Sequence, residues 1–221
     1  MISEMLSYDF IQRAFLGGVL VSLCAALLGV SLVLKRYSMI GDGLSHVSFG
    51  ALSIAIACGI APLKFAIPVV IVAAFLLLRL AENGKMRSDA AIAMVSASPL
   101  AIGVIVTSLT TGLSTDIYSY MFGSILAMSK DDVVVSGLLS VIVIIMFVVC
   151  YHKIFAVTFD ENFSKATGVK VGMYNTLISV FTAITIVVGI KMMGAMLISS
   201  LIVFPSLTSM RIFKSFKSVY W

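Results

Sequence analysis

The sequence contains little charge, little cysteine and little histidine. Of its 221 residues, 11% are charged, three are cysteines and two are histidines. Cys24, Cys58 and Cys150 lie far apart inside apolar runs and form no C-x-x-C pair. We therefore interpret them as small buried side chains, and we expect neither a disulfide framework nor a cysteine-based metal cluster.

Catalytic signatures are missing as well. The sequence has no G-x-x-x-x-G-K-[ST] loop for binding the phosphates of ATP, no G-x-S-x-G and no H-E-x-x-H. Its two histidines, His46 and His152, permit few catalytic arrangements. The chain is therefore not expected to be an enzyme, and it cannot hydrolyse ATP by the route that such a loop provides.

Apolar residues dominate instead. They make up 61% of the chain, and the mean hydropathy is +1.15, a composition that no soluble domain of this size could bury. The predicted fold class is all-α, a polytopic membrane protein with about seven transmembrane helices. We expect a single membrane domain over residues 1–221, without a soluble domain or linker. The predicted spans are Phe15–Leu34, Asp42–Ile60, Phe65–Leu80, Ala90–Leu109, Val133–Tyr151, Met173–Ile190 and Met192–Met210.

Two connections are more polar than the others. Thr110–Lys130 mixes polar and aromatic residues, which is typical of the membrane interface, and a surface loop with a short, partly embedded helix over Ile117–Leu126 is predicted. Lys153–Val171 is the longest amphiphilic connection. It contains Asp160, Glu161, Lys165, Gly168 and Lys170.

Lysine and arginine are divided unequally between the two sides of the predicted bundle. Eleven of the 15 fall on the side of Lys35 and the 153–171 connection, and four fall on the other. The positive-inside rule therefore predicts that the N-terminus is outside, the 153–171 connection is cytoplasmic and the 110–130 connection is outside. The net charge of +5 reports this orientation in the bilayer, and we expect no nucleic-acid partner.

Asp42 and His46 stand four residues apart at the start of a hydrophobic run long enough to cross a bilayer. In a helix, residues at i and i+4 share a face, here with Ser45, Gly50 and Ser53. Ionisable groups in a membrane segment usually face a pathway or a partner. The pair is therefore a candidate for the ligands of a divalent cation in transit. The alternative is an ordinary helix end, with the carboxylate near the N-cap and the imidazole close to the headgroups.

Four stretches of the sequence resemble the permease subunits of the ABC-3 group, the bacterial zinc, manganese and iron uptake ABC transporters. They occur in the family's order and together span nearly the whole chain. They are Gly41–His46 in the second helix, Tyr118–Leu126 in the outer loop, Phe159–Val169 in the coupling segment, and Val188–Ile190, Leu197–Ile198 and Phe204–Ser206 in the late helix pair.

The resemblance implies a multi-pass importer subunit in the bacterial cell membrane. It implies a homodimeric or paired permease core, two cytoplasmic ABC ATPase subunits that hydrolyse the ATP, and an extracytoplasmic metal-binding protein that delivers the ion. Asp42 and His46 match family positions associated with metal in the translocation path. Asp160, Glu161 and Gly168 lie in the segment that couples to the ATPase. No cofactor is bound permanently, because the metal, zinc first and manganese or iron next, is the cargo.

The chain departs from the family pattern at its end. Family members usually continue beyond the basic stretch that corresponds to Arg211–Lys217, with at least one more membrane helix. The resemblance therefore implies a C-terminal truncation from eight or more helices, and a truncated membrane scaffold that does not transport is the first alternative. A secondary transporter driven by an ion gradient is the second, although few intramembrane carboxylates are available to carry a coupling ion.

The charge distribution generates a test of orientation. With the three native cysteines replaced, a single cysteine introduced at Asn162 should resist a membrane-impermeant thiol reagent in intact cells, because the 153–171 connection is predicted to be cytoplasmic. A cysteine at Ser114 should react, and both should react once the cells are permeabilised. The reverse labelling pattern would exclude the orientation and the coupling role together.

Overall fold

A computed structural model describes residues 8–83, 88–110, 123 and 130–213. Within these residues the chain forms seven long helices and one short helix, without strands. The predicted short helix over Ile117–Leu126 lies outside the described residues. The helices are α1 Asp9–Leu34, α2 Ile40–Ala57, α3 Pro62–Asn83, α4 Ser88–Leu109, α5 Lys130–Phe159, α6 Glu161–Ala166, α7 Val171–Met193 and α8 Ala195–Ile212.

The long helices are membrane helices in length and composition. In the described part of the chain, six of them are long and apolar enough to cross a bilayer, and α3 carries a shorter apolar stretch, Lys64–Leu77. Their order follows the seven predicted spans, with ends that shift by a few residues. The prediction of an all-α polytopic membrane protein is confirmed.

Helix α5 is longer than the fifth predicted span. The connection was expected to begin at Lys153, but the helix continues to Phe159, about two turns further. Ile154 and Val157 in these turns are buried in the core, so the helix has apolar contacts that hold it beyond the predicted span. The predicted start of the connection is therefore wrong, and the connection begins at Asp160.

Helix α2 lies at the centre of the bundle. It packs against α3, α4, α7 and α8, and 72% of its residues are buried. Leu44, on the side opposite Asp42, and Leu52, one side further round the helix, are buried. The helix that carries the candidate metal ligands is therefore held from several directions by the rest of the chain.

Small residues permit this close packing. A Cβ atom at Gly50 would lie 2.6 Å from the carbonyl oxygen of Pro99 on α4, and a Cβ atom at Gly103 would lie 2.7 Å from the Phe49 ring. Lipid tails are as apolar as leucine, so helix association in a bilayer depends on such short-range contact and not on the hydrophobic effect. The interface between α2 and α4 is of this kind.

Helix α5 presents an apolar stripe on the outside of the bundle. Its exposed residues recur at helical spacing, and each is more than half exposed. A continuous apolar stripe of this kind is suited to contact with lipid. The residues are Val134, Leu138, Val141, Ile145 and Val148.

The connections gather at the two ends of the bundle as the charge pattern predicts. Lys35, just after α1, contacts Glu161, just after α5. At the other end Gly123 lies so close to the chain between α7 and α8 that an added Cβ atom would be 2.2 Å from the Met193 backbone. The connections after α1 and α5 therefore share one end, and the assignment of that end to the cytoplasm stays a prediction.

A matched pair of glycine substitutions tests the packing of α2. Gly50→Ala should lower the unfolding temperature of the purified protein in detergent, because the methyl group must displace the Pro99 backbone, a strain on the order of 1–3 kcal/mol. Gly137→Ala in α5 is the control, since its Cβ atom would meet only a Leu20 methyl group at 3.9 Å. The control should keep or slightly raise the unfolding temperature. Equal unfolding temperatures for both variants would contradict the packing argument.

Candidate functional site

Asp42 lies in the first turn of α2. The N-cap of this helix is Met39, and no side chain caps it. Asp42 is therefore not the capping residue, which removes one part of the alternative that treats it as an ordinary helix end. A carboxylate in the first turn is still favourable, because the N-terminus of a helix carries a partial positive charge.

Asp42 and His46 are brought together as their spacing predicts. His46 Nε2 lies 3.3 Å from Asp42 Oδ2, and the two side chains are 30% and 44% exposed, respectively. Both groups therefore keep access to the outside of the chain. A tetrahedral metal ion roughly 2.1 Å from each donor would hold its ligand atoms about 3.4 Å apart. The observed separation is close to that value.

The serines predicted to share this face do not join the pair. The Ser45 hydroxyl donates to the carbonyl of Gly41 at 2.8 Å, and the Ser53 hydroxyl donates to the carbonyl of Phe49 at 2.9 Å. Both serines are buried, and such bonds to the preceding turn satisfy a hydroxyl group without a ligand. The accessible polar part of this face therefore consists of Asp42 and His46.

The pair offers two donors and not a closed cage. Among the described residues, no group of three or more His, Cys, Asp or Glu side chains could hold a metal ion. An ion at Asp42 and His46 would need further ligands, for which water and a second copy of the chain are candidates. Carboxylate and imidazole donors suit Zn²⁺, Mn²⁺ and Fe²⁺. An incomplete shell suits an ion that must be released again.

The predicted coupling segment is a compact folded unit. Asp160 is the N-cap of α6, and its Oδ1 accepts a hydrogen bond from the Phe163 backbone N–H at 2.9 Å. Gly168 follows the helix with a φ of +82°, a conformation that glycine adopts without steric cost. The Val169 N–H then donates to the carbonyl of Ser164 at 2.9 Å. Asp160 and Gly168 therefore fix the two ends of the unit.

Glu161 faces the protein. Its Oε1 accepts hydrogen bonds from Lys35 Nζ at 2.6 Å and from Asn175 Nδ2 at 3.0 Å, and Lys35 also donates to Asn175 Oδ1. Burial raises the pKa of Glu161, but the two hydrogen bonds and the charges of Lys35 and Lys165 outweigh it and hold that pKa below its ordinary value. Glu161 is therefore an ionised carboxylate bound within the chain.

The surface that α6 offers to a partner consists of other residues. Asn162 and Lys165 are exposed, and the Phe163 side chain is 62% exposed. Beside them opens a cleft of 480 Å³, whose lining includes Arg36 and Lys165. An exposed aromatic ring next to a basic cleft can receive a folded partner, whereas Glu161 lies on the inner side of the helix.

Sequence reasoning missed the two partners of Glu161. The charge pattern predicts for Lys35 only a role in the orientation of the chain. Asn175 is 3% exposed in a largely apolar helix, and a buried amide needs hydrogen-bond partners. A lone asparagine in an apolar run was therefore a usable signal, although nothing local identifies its partners.

A protein-family profile and known proteins match nearly the whole of this sequence. The profile of the ABC 3 transport family matches residues 7–221. The "Probable metal transport system membrane protein" of Treponema pallidum (strain Nichols) is 35% identical over 209 residues, which are 94% of this chain and 78% of that protein. The "High-affinity zinc uptake system membrane protein ZnuB" of Buchnera aphidicola subsp. Acyrthosiphon pisum (strain APS) is 30% identical over 203 residues, 91% of this chain and 78% of that protein.

A solved structure shares the architecture. The structure of PsaBC from Streptococcus pneumoniae in complex with Fab superposes with a TM-score of 0.84 and 26% sequence identity. The match covers 100% of this chain and 80% of that chain. The arrangement of helices in this chain is therefore also found in the PsaBC structure.

The backbone of the coupling segment provides a test with a matched control. Gly168→Ala should accelerate hydrogen exchange across residues 160–169, because the positive φ costs an alanine on the order of 1 kcal/mol. Gly172→Ala should leave the exchange unchanged. A Cβ atom at either glycine would meet nothing within 4 Å, and only Gly168 has a positive φ. Identical exchange in the two variants would show that Gly168 does not fix the end of the segment.

Proposed function

The chain belongs to the ABC 3 transport family, and we propose that it is the permease subunit of an ABC importer that moves a divalent transition metal into the cytoplasm. It is a multi-pass protein of the bacterial plasma membrane. The observation that carries the proposal is the pairing of Asp42 with His46 at the start of the enclosed helix α2.

The donor pair supports transport of a transition metal. A carboxylate oxygen and an imidazole nitrogen 3.3 Å apart are within reach of one ion. Because both side chains lie on α2, they keep their spacing when the helix moves. The ion would exchange its other ligands, water or the donors of a second copy, as access alternates between the two sides. The metal is therefore cargo, and the proposal includes no permanently bound cofactor.

Zinc is the proposed ion. The zinc uptake protein ZnuB of Buchnera is 30% identical to this chain, and one nitrogen with one oxygen donor is an ordinary ligand combination for zinc. Manganese and iron are the alternatives, because the same two donors also suit these ions. The remaining ligands, water or the donors of a second copy, would decide among them.

The importer needs partners that supply energy and cargo. We propose two cytoplasmic ATPase subunits, an extracytoplasmic metal-binding protein and a second copy of the permease. The absence of a phosphate-binding loop from the sequence supports a separate ATPase, and residues 1–221 would form one permease domain. The α6 segment, with Asp160, Glu161 and Gly168, is the proposed coupling element. Its exposed Phe163 and the adjacent basic cleft provide the contact surface.

Two substitutions in α2 test the metal site. Asp42→Asn removes the charge and keeps the volume, and His46→Leu removes the nitrogen and keeps the bulk. Each should lower uptake of radiolabelled zinc and manganese, normalised to membrane-inserted protein, on the order of tenfold or more. Ser53→Ala on the same helix is the control, because that hydroxyl bonds to its own helix. It should leave uptake unchanged.

The outcomes separate the competing functions. Normal uptake per molecule in both variants, with less protein in the membrane, would indicate a structural pair. Uptake that stops on ATP depletion and survives an uncoupler supports an ABC importer, and the opposite pattern supports a secondary transporter. A chain that inserts and binds its partners but never imports metal would be a scaffold.

A further inference from the structure

The turn between α1 and α2 is held by its own backbone. The Tyr37 N–H donates to the carbonyl of Leu32 at 2.9 Å. The Arg36 N–H donates to the carbonyl of Val33 at 3.0 Å, and Arg36 has a φ of +62°. These are the paired bonds and the left-handed residue of a Schellman turn. The Ile40 N–H then donates to the carbonyl of Tyr37 at 3.0 Å, so the same turn leads directly into α2.

Lys35 stands at the start of this turn and is bound to the coupling segment. Its side chain is 6% exposed, and its Nζ contacts Glu161 Oε1 at 2.6 Å. Asn175 on α7 bonds to both partners, since it accepts from the amine and donates to the carboxylate. A buried cation that loses its partner keeps the full cost of its desolvation. The cluster of Lys35, Glu161 and Asn175 therefore resists separation more strongly than an exposed ion pair does.

The cluster joins parts of the chain that are remote in sequence. Glu161 and Lys35 are 126 positions apart. Covalent connections carry a movement of α6 into α5 and α7, and the bond to Lys35 reaches the turn before α2. From Lys35 the Schellman turn leads within seven residues to Asp42.

We propose that Lys35 is a positioning residue that transmits displacement of the coupling segment to the helix that carries Asp42 and His46. Glu161 holds the Lys35 amine, Asn175 braces both, and the rigid turn moves the start of α2 with them. The inference rests on the proposed function, because it explains how work done on α6 reaches the metal ligands. In this proposal Glu161 connects α6 to Lys35 within the chain, and the outer side of α6 contacts the ATPase.

A charge-reversal cycle tests the link in the assembled transporter. Lys35→Glu and Glu161→Lys should each reduce the zinc imported per ATP hydrolysed on the order of tenfold, while ATP hydrolysis continues. The double variant should recover most of the lost ratio, because the pair re-forms with opposite polarity. Lys170→Glu reverses an exposed charge in the same connection, outside the cleft, and is the control for a general electrostatic effect. It should leave the zinc imported per ATP unchanged.

A cross-link tests whether the two elements move together. In a background without the native cysteines, Lys35→Cys and Glu161→Cys are joined by a short bifunctional thiol reagent. If the pair moves as one body, the joined protein should import radiolabelled zinc at close to the wild-type rate, and uptake should fall when the link is cleaved by reductant. The same reagent on each single-cysteine variant is the control. Loss of uptake on cross-linking would overturn the proposal, because it would mean that the pair must separate.

The results distinguish this inference from the proposed function. ATP-dependent uptake by the wild type, with unchanged import per ATP in both single reversals, would overturn the link and leave the importer intact. No metal uptake by the wild-type assembly would overturn the importer and the link with it. If the charge reversals fail to insert, Glu161→Gln replaces them, since it keeps the shape and removes the charge, and an unchanged import ratio in it would count against the link.

Discussion

Close approach of helix backbones to α2 is the constraint on which the rest of the structure depends. In a bilayer the hydrophobic effect does not hold helices together, so stability has to come from contacts at short range. Gly50 on α2 and Gly103 on α4 provide such contacts across the interface of these two helices, and three further helices enclose the remaining sides of α2. Because the helix is fixed in this way, Asp42 and His46 have a defined place, and ligands that are already positioned lose less entropy when they bind.

Two pairs of ionisable side chains in the same chain lie in opposite environments. The amine of Lys35 is buried, and its contacts with Glu161 and Asn175 lie within the protein. The pair of Asp42 and His46 is partly exposed and contacts across one helical turn. Separating the buried pair leaves a desolvated charge, whereas an incoming ion can replace the partly exposed contact at little cost. The buried pair is therefore suited to holding two segments of the chain together. The partly exposed pair is suited to binding and releasing an ion.

The sequence predicts features that depend on neighbours along the chain. Apolar runs of membrane length define the helices, and the i, i+4 spacing brings Asp42 to His46. Features that depend on distant residues were not predictable in this way. The bond from Glu161 to Lys35 joins positions 126 residues apart, and no local pattern encodes it. Asn175 was the one local sign that such a contact existed.

In the proposed mechanism, the position of Asp42 and His46 relative to Lys35 has a mechanical consequence for a bound ion. Asp42 and His46 lie on one helix, so a tilt of α2 moves both donors together and leaves their 3.3 Å separation unchanged. Release of an ion therefore has to come from its other ligands. Coordination distances tolerate deviations of only about 0.2 Å, so a displacement of α2 by about 1 Å relative to those ligands is enough to open the shell. Lys35 lies seven residues before Asp42. A small displacement of the start of α2 at Lys35 would therefore be enough to change the affinity of the proposed site for the metal ion.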